Sequence, residues 1–264
     1  MERFHDYELF KQKFYNISHI DLNYYKEKQM KRRITSLVEK HGFHTYSDFL
    51  EEIKTNKKLY DIFINYLTIN ISEFYRNPNQ WEVFEKKILP EIAKYKKLPD
   101  VKIWSSACST GDEPYTIAMI LNKFLPLQNI RILATDIDND AMEKAKTGLY
   151  PSRSLKELPQ AYKDKYFTQV NEDVYQISEK IRQCVHFKQL NLLRDPYPTN
   201  LDIIVCRNVV IYFTDEAKDK IFADFGKSLA KNGVLFIGST EQIMNYNKYG
   251  IKPIETFFYQ KIES

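Results

Sequence analysis

Four stretches of this 264-residue chain carry side chains whose types and spacing could do chemistry. The first is V-K-I-W-S-S-A-C-S-T-G-D-E-P-Y-T-I-A-M, Val101 to Met119. Val101 to Trp104 reads as a buried strand and Ser105 to Gly111 as a small, turn-prone loop. Glu113 to Met119 then starts a helix, with Pro114 where a missing N–H costs nothing. Backbone N–H groups at a helix start face such a loop, and small residues let a ligand approach the main chain. The stretch therefore suits an anionic or polar group such as a carboxylate or a nucleotide. A lone Gly111 is neither the G-x-G-x-x-G of a dinucleotide fold nor part of a P-loop, so an ordinary strand-to-helix turn remains open. The second stretch, I-R-I-L-A-T-D, is an apolar strand ending at Asp136. An acid there takes the ribose hydroxyls of an adenosine in doubly wound sheets. Asp138 is better explained as a helix N-cap, so Asp136 is expected to serve a ligand and not the core. The third is L-D-I-I-V-C-R-N-V-V-I-Y-F, a strand from Leu201 to Cys206 with Arg207, Asn208 and Tyr212 at or beyond its carboxyl end, which faces the crevice in an open α/β sheet. The fourth, T-I-N-I-S-E-F-Y-R, interleaves Asn70, Ser72 and Arg76 with apolar residues. Its plain reading is a helix cap and an Arg76–Glu73 surface pair.

The elements that must position these residues follow from periodicity. From Phe4 to about Leu67 the pattern is helical, giving an all-α N-terminal domain over 1–68 ahead of an α/β domain over 69–264. Asp21 is the expected N-cap of a helix whose Met30, Ile34, Leu37 and Val38 share one side. Lys28, Lys31 and Arg32 share the other, with Lys26 and Arg33 flanking the apolar stripe; a solvated face is the plain reading of such a cluster. His41-Gly42 stops this helix, Ser47 or Asp48 starts the next, and Tyr60 to Leu67 forms a third. Trp81 to Ile92 is a further amphipathic helix. Gly148 to Lys165 reads as irregular. Tyr166-Phe167, Val174 to Ser178 and Val185 to Gln189 then read as a small antiparallel insert over about 163–190. Thr214 or Asp215 caps a helix to Ala230 ended by Asn232-Gly233, Val234 to Gly238 is a strand, and Ile251 to Ile262 is a closing hairpin.

A net charge of +4 supports no global nucleic-acid surface. Cys108, Cys184 and Cys206 are odd in number and far apart, which fits neither a disulfide framework nor a structural zinc, and no H-E-x-x-H metal motif occurs. No run approaches the ~20 apolar residues of a membrane span and the first residues have no apolar signal core, so the expected place is the cytoplasm, with no membrane insertion.

W-S-S-A-C-S-T-G-D-E-P-Y, A-T-D-I-D and C-R-N-V-V-I-Y-F together resemble the chemoreceptor glutamate methyltransferase family, CheR, over nearly the whole chain. The resemblance implies a Rossmann-like class I methyltransferase sheet with a small β insert, preceded by a helical domain. It implies S-adenosyl-L-methionine as methyl donor, S-adenosyl-L-homocysteine as product, and glutamate-bearing receptor helices as substrate, contacted by the Lys28, Lys31 and Arg32 face. By residue, it assigns Asn70, Ser72, Arg76, Glu113, Asp136, Asn191, Leu192, Arg207 and Asn208 to the cofactor. Arg76, Arg207 and Tyr212 would carry catalysis, the two arginines by orienting carboxylates and Tyr212 by packing near the sulfonium. A glutamate with a reference pKa of about 4.3 is already ionised, so no general base is needed. R-D-P-Y-P, Arg194 to Pro198, imitates the D-P-P-Y of amino-group methyltransferases but precedes its strand, and reads as a turn. Some family members have a glycine-rich turn in the insert that binds a receptor-tail peptide. Here Val170 to Asp173 has no glycine, and no dependence on such a tether is expected. A nucleic-acid methyltransferase using the Lys28 to Arg33 patch and a non-catalytic receptor-binding module are the alternatives.

Overall fold

The computed structural model describes residues 6–70 and 72–262; the start of the helical pattern at Phe4 and the apolar Ile71 lie outside them. The chain divides into one unit made of residues 1–70 and 212–219 and a second made of 71–211 and 220–264.

In the first unit, α1 (Tyr7–Ser18), α2 (Glu27–Lys40), α3 (Tyr46–Thr55) and α4 (Lys57–Thr68) bury one face each. Met30, Ile34, Leu37 and Val38 are the buried side of α2. Phe63 receives the ring edges of Phe14 and Phe49 at 5.0 and 5.1 Å. Such aromatic pairs contribute beyond the area they bury. Three helix starts differ from expectation. Asp21 caps a single 3-10 turn, Leu22–Tyr24, through the Asn23 N–H, and α2 begins only at Glu27. Thr45 caps α3 and Asn56 caps α4. For α3 and α4 a short polar side chain earlier in the chain wins because its oxygen reaches an otherwise unpaired N–H, whereas α2 starts after Lys26 with no side-chain cap. Residues 212–214 pair with 24–26: the Lys26 N–H donates to the Tyr212 carbonyl at 3.0 Å and the Thr214 N–H to the Tyr24 carbonyl at 2.8 Å.

The second unit opens with α5 (Pro78–Val83), a π turn (Phe84–Ile88) and α6 (Leu89–Ala93). Pro90 has no N–H and its ring would strike the carbonyl four residues back; the wider π turn absorbs it. β1 (Ile103–Ser105), α7 (Asp112–Leu121), β2 (Ile132–Asp136) and α8 (Asn139–Thr147) follow. After them come β3 (Leu149–Pro151), α9 (Gln160–Tyr166), β4 (Phe167–Asn171), β5 (Val174–Ile177) and α10 (Glu179–Arg182). The chain closes with β6 (Val185–Gln189), β7 (Leu201–Cys206), α11 (Asp215–Ser228), β8 (Leu229–Ile237), β9 (Ile251–Glu255) and β10 (Phe258–Lys261).

The main sheet has the order β6-β2-β1-β7-β8-β10-β9, parallel except at β10, which runs antiparallel to β8 and β9. From β1 the chain winds outward to β2 and β6, then crosses back to β7. The switch point lies between β1 and β7, and in open α/β sheets the ligand crevice forms outside the carboxyl ends there. Ile103, Ile132, Ile203, Val205, Val234 and Phe236 are nearly fully buried, as strands covered on both faces require.

The insert differs from expectation in two strands, one lost and one gained. Its three-stranded sheet is β3-β5-β4, whereas Val185 to Gln189 is the edge strand of the main sheet, paired parallel with Ile132 to Asp136. V-H-F-K-Q is only half buried, and an edge strand with one wet side alternates like a hairpin strand. Leu149 to Pro151 is short and contains proline, which an edge strand tolerates; that hid it among irregular residues. Likewise α11 stops at Ser228, and Asn232-Gly233 lies inside β8, where the pairing with β7 slips between Leu201 and Ile203.

Candidate active site

The loop between β1 and α7 is tied at both ends. The Ser106 N–H donates to the Val205 carbonyl at 2.9 Å, the Cys108 N–H to the Thr135 carbonyl at 2.9 Å, and the Ser109 N–H to Asp136 Oδ2 at 2.7 Å. Gly111 precedes α7 at φ +86°, where an added Cβ would lie 2.7 Å from the Ala145 side chain. Only glycine fits this cap.

Asp136 therefore has a structural task. Its Oδ1 also accepts the Asp138 N–H at 3.0 Å, so the carboxylate fixes the turn after β2 as well as the loop after β1. The expectation that it leaves the core alone is corrected: an acid at a strand end meets converging N–H groups, which are its nearest donors. Asp138 caps α8 through the Ala141 N–H at 3.1 Å, as expected. Burial pushes the Asp136 carboxyl up to about 6, and the N–H groups of Asp138 and Ser109 pull it back.

At the mouth of α7, Ser105 Oγ donates to Glu113 Oε1 at 2.7 Å and Arg207 Nη1 stands 3.7 Å from Glu113 Oε2. Burial raises Glu113 to about 7 against the pull of Arg207, and Arg76 is close enough to add to that pull. Burial lowers Arg207 to about 10 while Glu113 supports its charge. The Arg207 guanidinium is engaged within the protein: Nη2 donates to the Arg76 carbonyl at 2.8 Å, Asn77 Oδ1 at 3.1 Å and Gln80 Oε1 at 2.8 Å. It also lies over the rings of Trp81 and Phe236, at 4.9 and 4.8 Å. Arg207 thus ties the 76–80 segment to the end of β7. That segment is strained, since Tyr75 and Asn77 on either side of Arg76 have φ of +58° and +61°. Such outliers persist where the surroundings over-determine them, and they gather at functional sites. Phe74 anchors the segment through the Ser154 carbonyl at 2.9 Å and through edge contacts to Tyr150 and Phe167, and the Tyr75 N–H bonds Thr116 Oγ1 at 3.1 Å.

Asn191 and Leu192 follow β6. Asn191 Oδ1 accepts the Leu193 N–H, Asp195 Oδ2 accepts the Asn191 N–H at 2.8 Å, and Tyr197 Oη donates to the Leu192 carbonyl at 2.6 Å. The R-D-P-Y-P stretch is therefore a turn that holds these two residues, ahead of β7. The structure brings Ser72, Arg76, Glu113, Asp136, Asn191, Leu192, Arg207 and Asn208 into the second unit, most of them on loops at the carboxyl ends of β1, β2, β6 and β7. Asn70 and Tyr212 cluster with the helical unit, where Asn70 Nδ2 donates to Thr68 Oγ1 at 3.0 Å.

Two further residues lie at or beside these loops, and neither was given a role from the sequence. Asp112 is fully buried, raised to about 6 by that burial, and hydrogen-bonded by Thr110 and Ser72. Glu241, just past β8, is also buried. The signal for Asp112 was its place beside Glu113 at the helix start; G-S-T-E, by contrast, reads as an ordinary polar turn. Among the described residues, Asp112 Oδ1, Asn208 Oδ1 and Arg207 Nε are buried with no hydrogen-bond partner. Buried polar atoms are otherwise nearly always paired, so these carboxylate, amide and guanidinium atoms fit a ligand rich in donors with an acceptor of its own. An adenosyl amino acid, with ribose hydroxyls, an amino group and a carboxylate, has that chemistry.

Comparison with known proteins agrees. Residues 70–257 match the family described as CheR methyltransferase, SAM binding domain, and residues 5–68 match CheR methyltransferase, all-alpha domain. The chemotaxis protein methyltransferase of Listeria monocytogenes serovar 1/2a is 41% identical over 242 residues, covering 92% of each chain. That of Listeria innocua serovar 6a is 40% identical with the same coverage, and that of Borreliella burgdorferi is 33% identical over 87% of this chain and 85% of its own. No helix among the described residues is long and apolar enough to cross a membrane. With its two domain matches and relatives matched over most of their length, the chain belongs to the CheR methyltransferase family and is an S-adenosylmethionine-dependent methyltransferase.

Proposed function

We propose that this enzyme methylates glutamate side-chain carboxylates of chemotaxis receptors, giving glutamate methyl esters. The observation that carries the acceptor class is the end of β7. Amino-group methyltransferases place an acidic or amide, proline-rich acceptor motif there, and this chain places Arg207 and Asn208, with the only imitation of that motif lying before the strand. Arg207 holds the 76–80 segment and Glu113, and Arg76, which that segment carries, is the cationic group proposed to meet a carboxylate acceptor.

S-adenosylmethionine, when bound, supplies a methyl group on a positively charged sulfur. Asp136 is proposed to hold the ribose, Glu113 and Asp112 the donors of the amino acid portion, and Asn191, Leu192 and Asn208 to frame the adenosyl portion. Arg76, in its strained segment, is proposed to orient a carboxylate, and Arg207 to keep that segment and Glu113 in place. An ionised glutamate has no proton to lose, so none of these residues needs to act as a base. Their contribution is alignment and exclusion of water, which in well-aligned cases is worth up to ~7–11 kcal/mol. The exposed Lys28 and Arg32 on α2 are proposed to meet the acidic receptor helices; half-buried Lys31 has its Nζ 5.4 Å from the centre of the Tyr7 ring.

Incubation with labelled S-adenosylmethionine and receptor cytoplasmic fragments, followed by mild alkali, tests the reading. Label released as methanol identifies esters. Alkali-stable label would identify N-methylation, and labelling of RNA or DNA in place of receptor would transfer the activity to nucleic acid.

A further inference from the structure

The loop leaving β7 presents three consecutive backbone N–H groups, from Asn208, Val209 and Val210, to one place. Convergent main-chain N–H groups of this kind form an anion-binding nest. Here the anion is the chain's own. Glu241 Oε1 accepts the N–H groups of Val209 and Val210 at 2.9 and 3.0 Å, and Oε2 accepts those of Asn208 and Gly238 at 3.0 and 2.7 Å. The Glu241 N–H closes the turn on the Gly238 carbonyl at 3.1 Å. Glu241 is 4% exposed; burial raises its carboxyl and the four N–H groups oppose that rise. Its charge is also felt by Arg207 and Glu113.

Asn208 is the residue this arrangement controls. It sits in the left-handed region at φ +59°, with Oδ1 buried and without a partner among the described residues. A left-handed asparagine holds that conformation where its neighbours fix it, and the bond from its N–H to Glu241 is that fixture. We infer that Glu241 is a positioning residue for the cofactor: its carboxylate pegs the 208–210 loop so that the Asn208 side chain meets the adenosyl group in a fixed direction. The inference rests on the proposed role of Asn208 in holding S-adenosylmethionine.

Glu241→Gln separates the peg from mere filling of space. The amide has the same shape but a single acceptor oxygen, and its NH₂ would face two N–H donors. Gly238→Ala reaches the same contact without touching the charge, because the added Cβ would lie 2.8 Å from the Asn208 nitrogen and 2.8 Å from Glu241 Oε2. Thr240→Ala, exposed in the same turn, is the control.

The experiment is calorimetric titration of the full chain with S-adenosylhomocysteine, with melting curves of each variant. Glu241→Gln and Gly238→Ala should each raise Kd about tenfold or more, a loss of about 1.4 kcal/mol, while unfolding cooperatively and leaving KM for receptor unchanged. Thr240→Ala should bind as wild type does. Folded variants that bind within about twofold of wild type would overturn the inference. In the wild type, the amides of residues 208–210 should resist hydrogen exchange, more so with S-adenosylhomocysteine bound; fast exchange there would overturn it even if a variant fails to fold. Failure of the wild type to bind S-adenosylhomocysteine is a different outcome, and refutes the cofactor reading itself.

Discussion

Replacement of Asp136 by alanine separates the clamp that the structure shows from the ligand role proposed for the same carboxylate. As a clamp it accepts the Ser109 N–H at 2.7 Å and the Asp138 N–H at 3.0 Å. Hydrogen bonds to a charged group contribute about 1.5–3 kcal/mol each, so losing both would cost about 3–6 kcal/mol. Against this stands the burial of the charge. The carboxyl is raised from 3.8 to about 6, and a shift of that size means the ionised form is held at a cost of about 3 kcal/mol near neutrality. The net destabilisation should be about 0–3 kcal/mol, lowering Tm by about 2–4 °C per kcal/mol for a domain of this size. As a ligand group the same carboxylate has further lone pairs for ribose hydroxyls, and losing those bonds should weaken S-adenosylhomocysteine binding by about 10-fold to 100-fold or more. Differential scanning calorimetry and isothermal titration on one preparation measure both. Asp136→Asn should fall between wild type and alanine in Tm, since it keeps one acceptor. Lowered Tm with unaltered affinity would reduce Asp136 to a loop clamp, and a raised Tm would contradict the stabilising share given to the two backbone bonds.

Arg76→Ala should lower turnover while leaving the fold intact, because the backbone carbonyl that receives Arg207 and Trp81 remains; wild-type kinetics would return Arg76 to the surface. Glutamate at positions 28 and 32 should raise KM for receptor without altering cofactor affinity, and the effect should shrink with salt because exposed charges are screened over ~8 Å at physiological ionic strength; equal KM values would refute the docking face. Removing the last residues of a receptor fragment should leave its methylation unchanged, since the β4–β5 turn has no glycine and offers Glu172 and Asp173; a large drop with micromolar binding of the free tail peptide would show that the turn does bind a tether. For the unliganded enzyme, Asp112, Glu113 and Asp136 are raised by burial to about 6, 7 and 6, so the folded state binds these protons more tightly than the unfolded chain. Their contribution to stability is complete below the unfolded values and is lost as pH rises through about 6–7, and a Tm that climbs across that interval would reverse the sign.

Much of the architecture was legible because the central strands are short, continuous apolar runs ended by polar residues, the signature of strands covered on both faces. The acids and the Arg-Asn pair at their carboxyl ends pointed to the crevice for the same reason. What stayed hidden depended on partners distant in sequence. Val185 to Gln189 alternates like a hairpin strand because one side is wet, and only its pairing with β2 shows where it belongs. Arg207 looked like a ligand group, but its three acceptors lie in the 76–80 region, about 130 residues earlier. Glu241 was invisible because a nest of N–H groups leaves no trace in composition.

The loops of this crevice share one device. Asp136 holds the loop after β1 and the turn after β2, Asp195 holds Asn191 after β6, and Glu241 holds the loops after β7 and β8. In each case a carboxylate accepts main-chain N–H, and for Asp136 and Glu241, which are buried, this is a costly way to fix a loop. Apolar packing would hold the same loops without raising any pKa, but it would not fix the direction of each peptide unit. Carboxylate clamps fix that direction, and with it the side chains beside them. On the proposed reading, an in-line transfer to an already ionised oxygen leaves little proton chemistry to arrange, and alignment is the larger share of what the protein can contribute. The residues most damaging to lose are then as much those that hold the loops rigid as those that touch the methyl donor, and on the proposed cofactor roles the two classes overlap in Asp136.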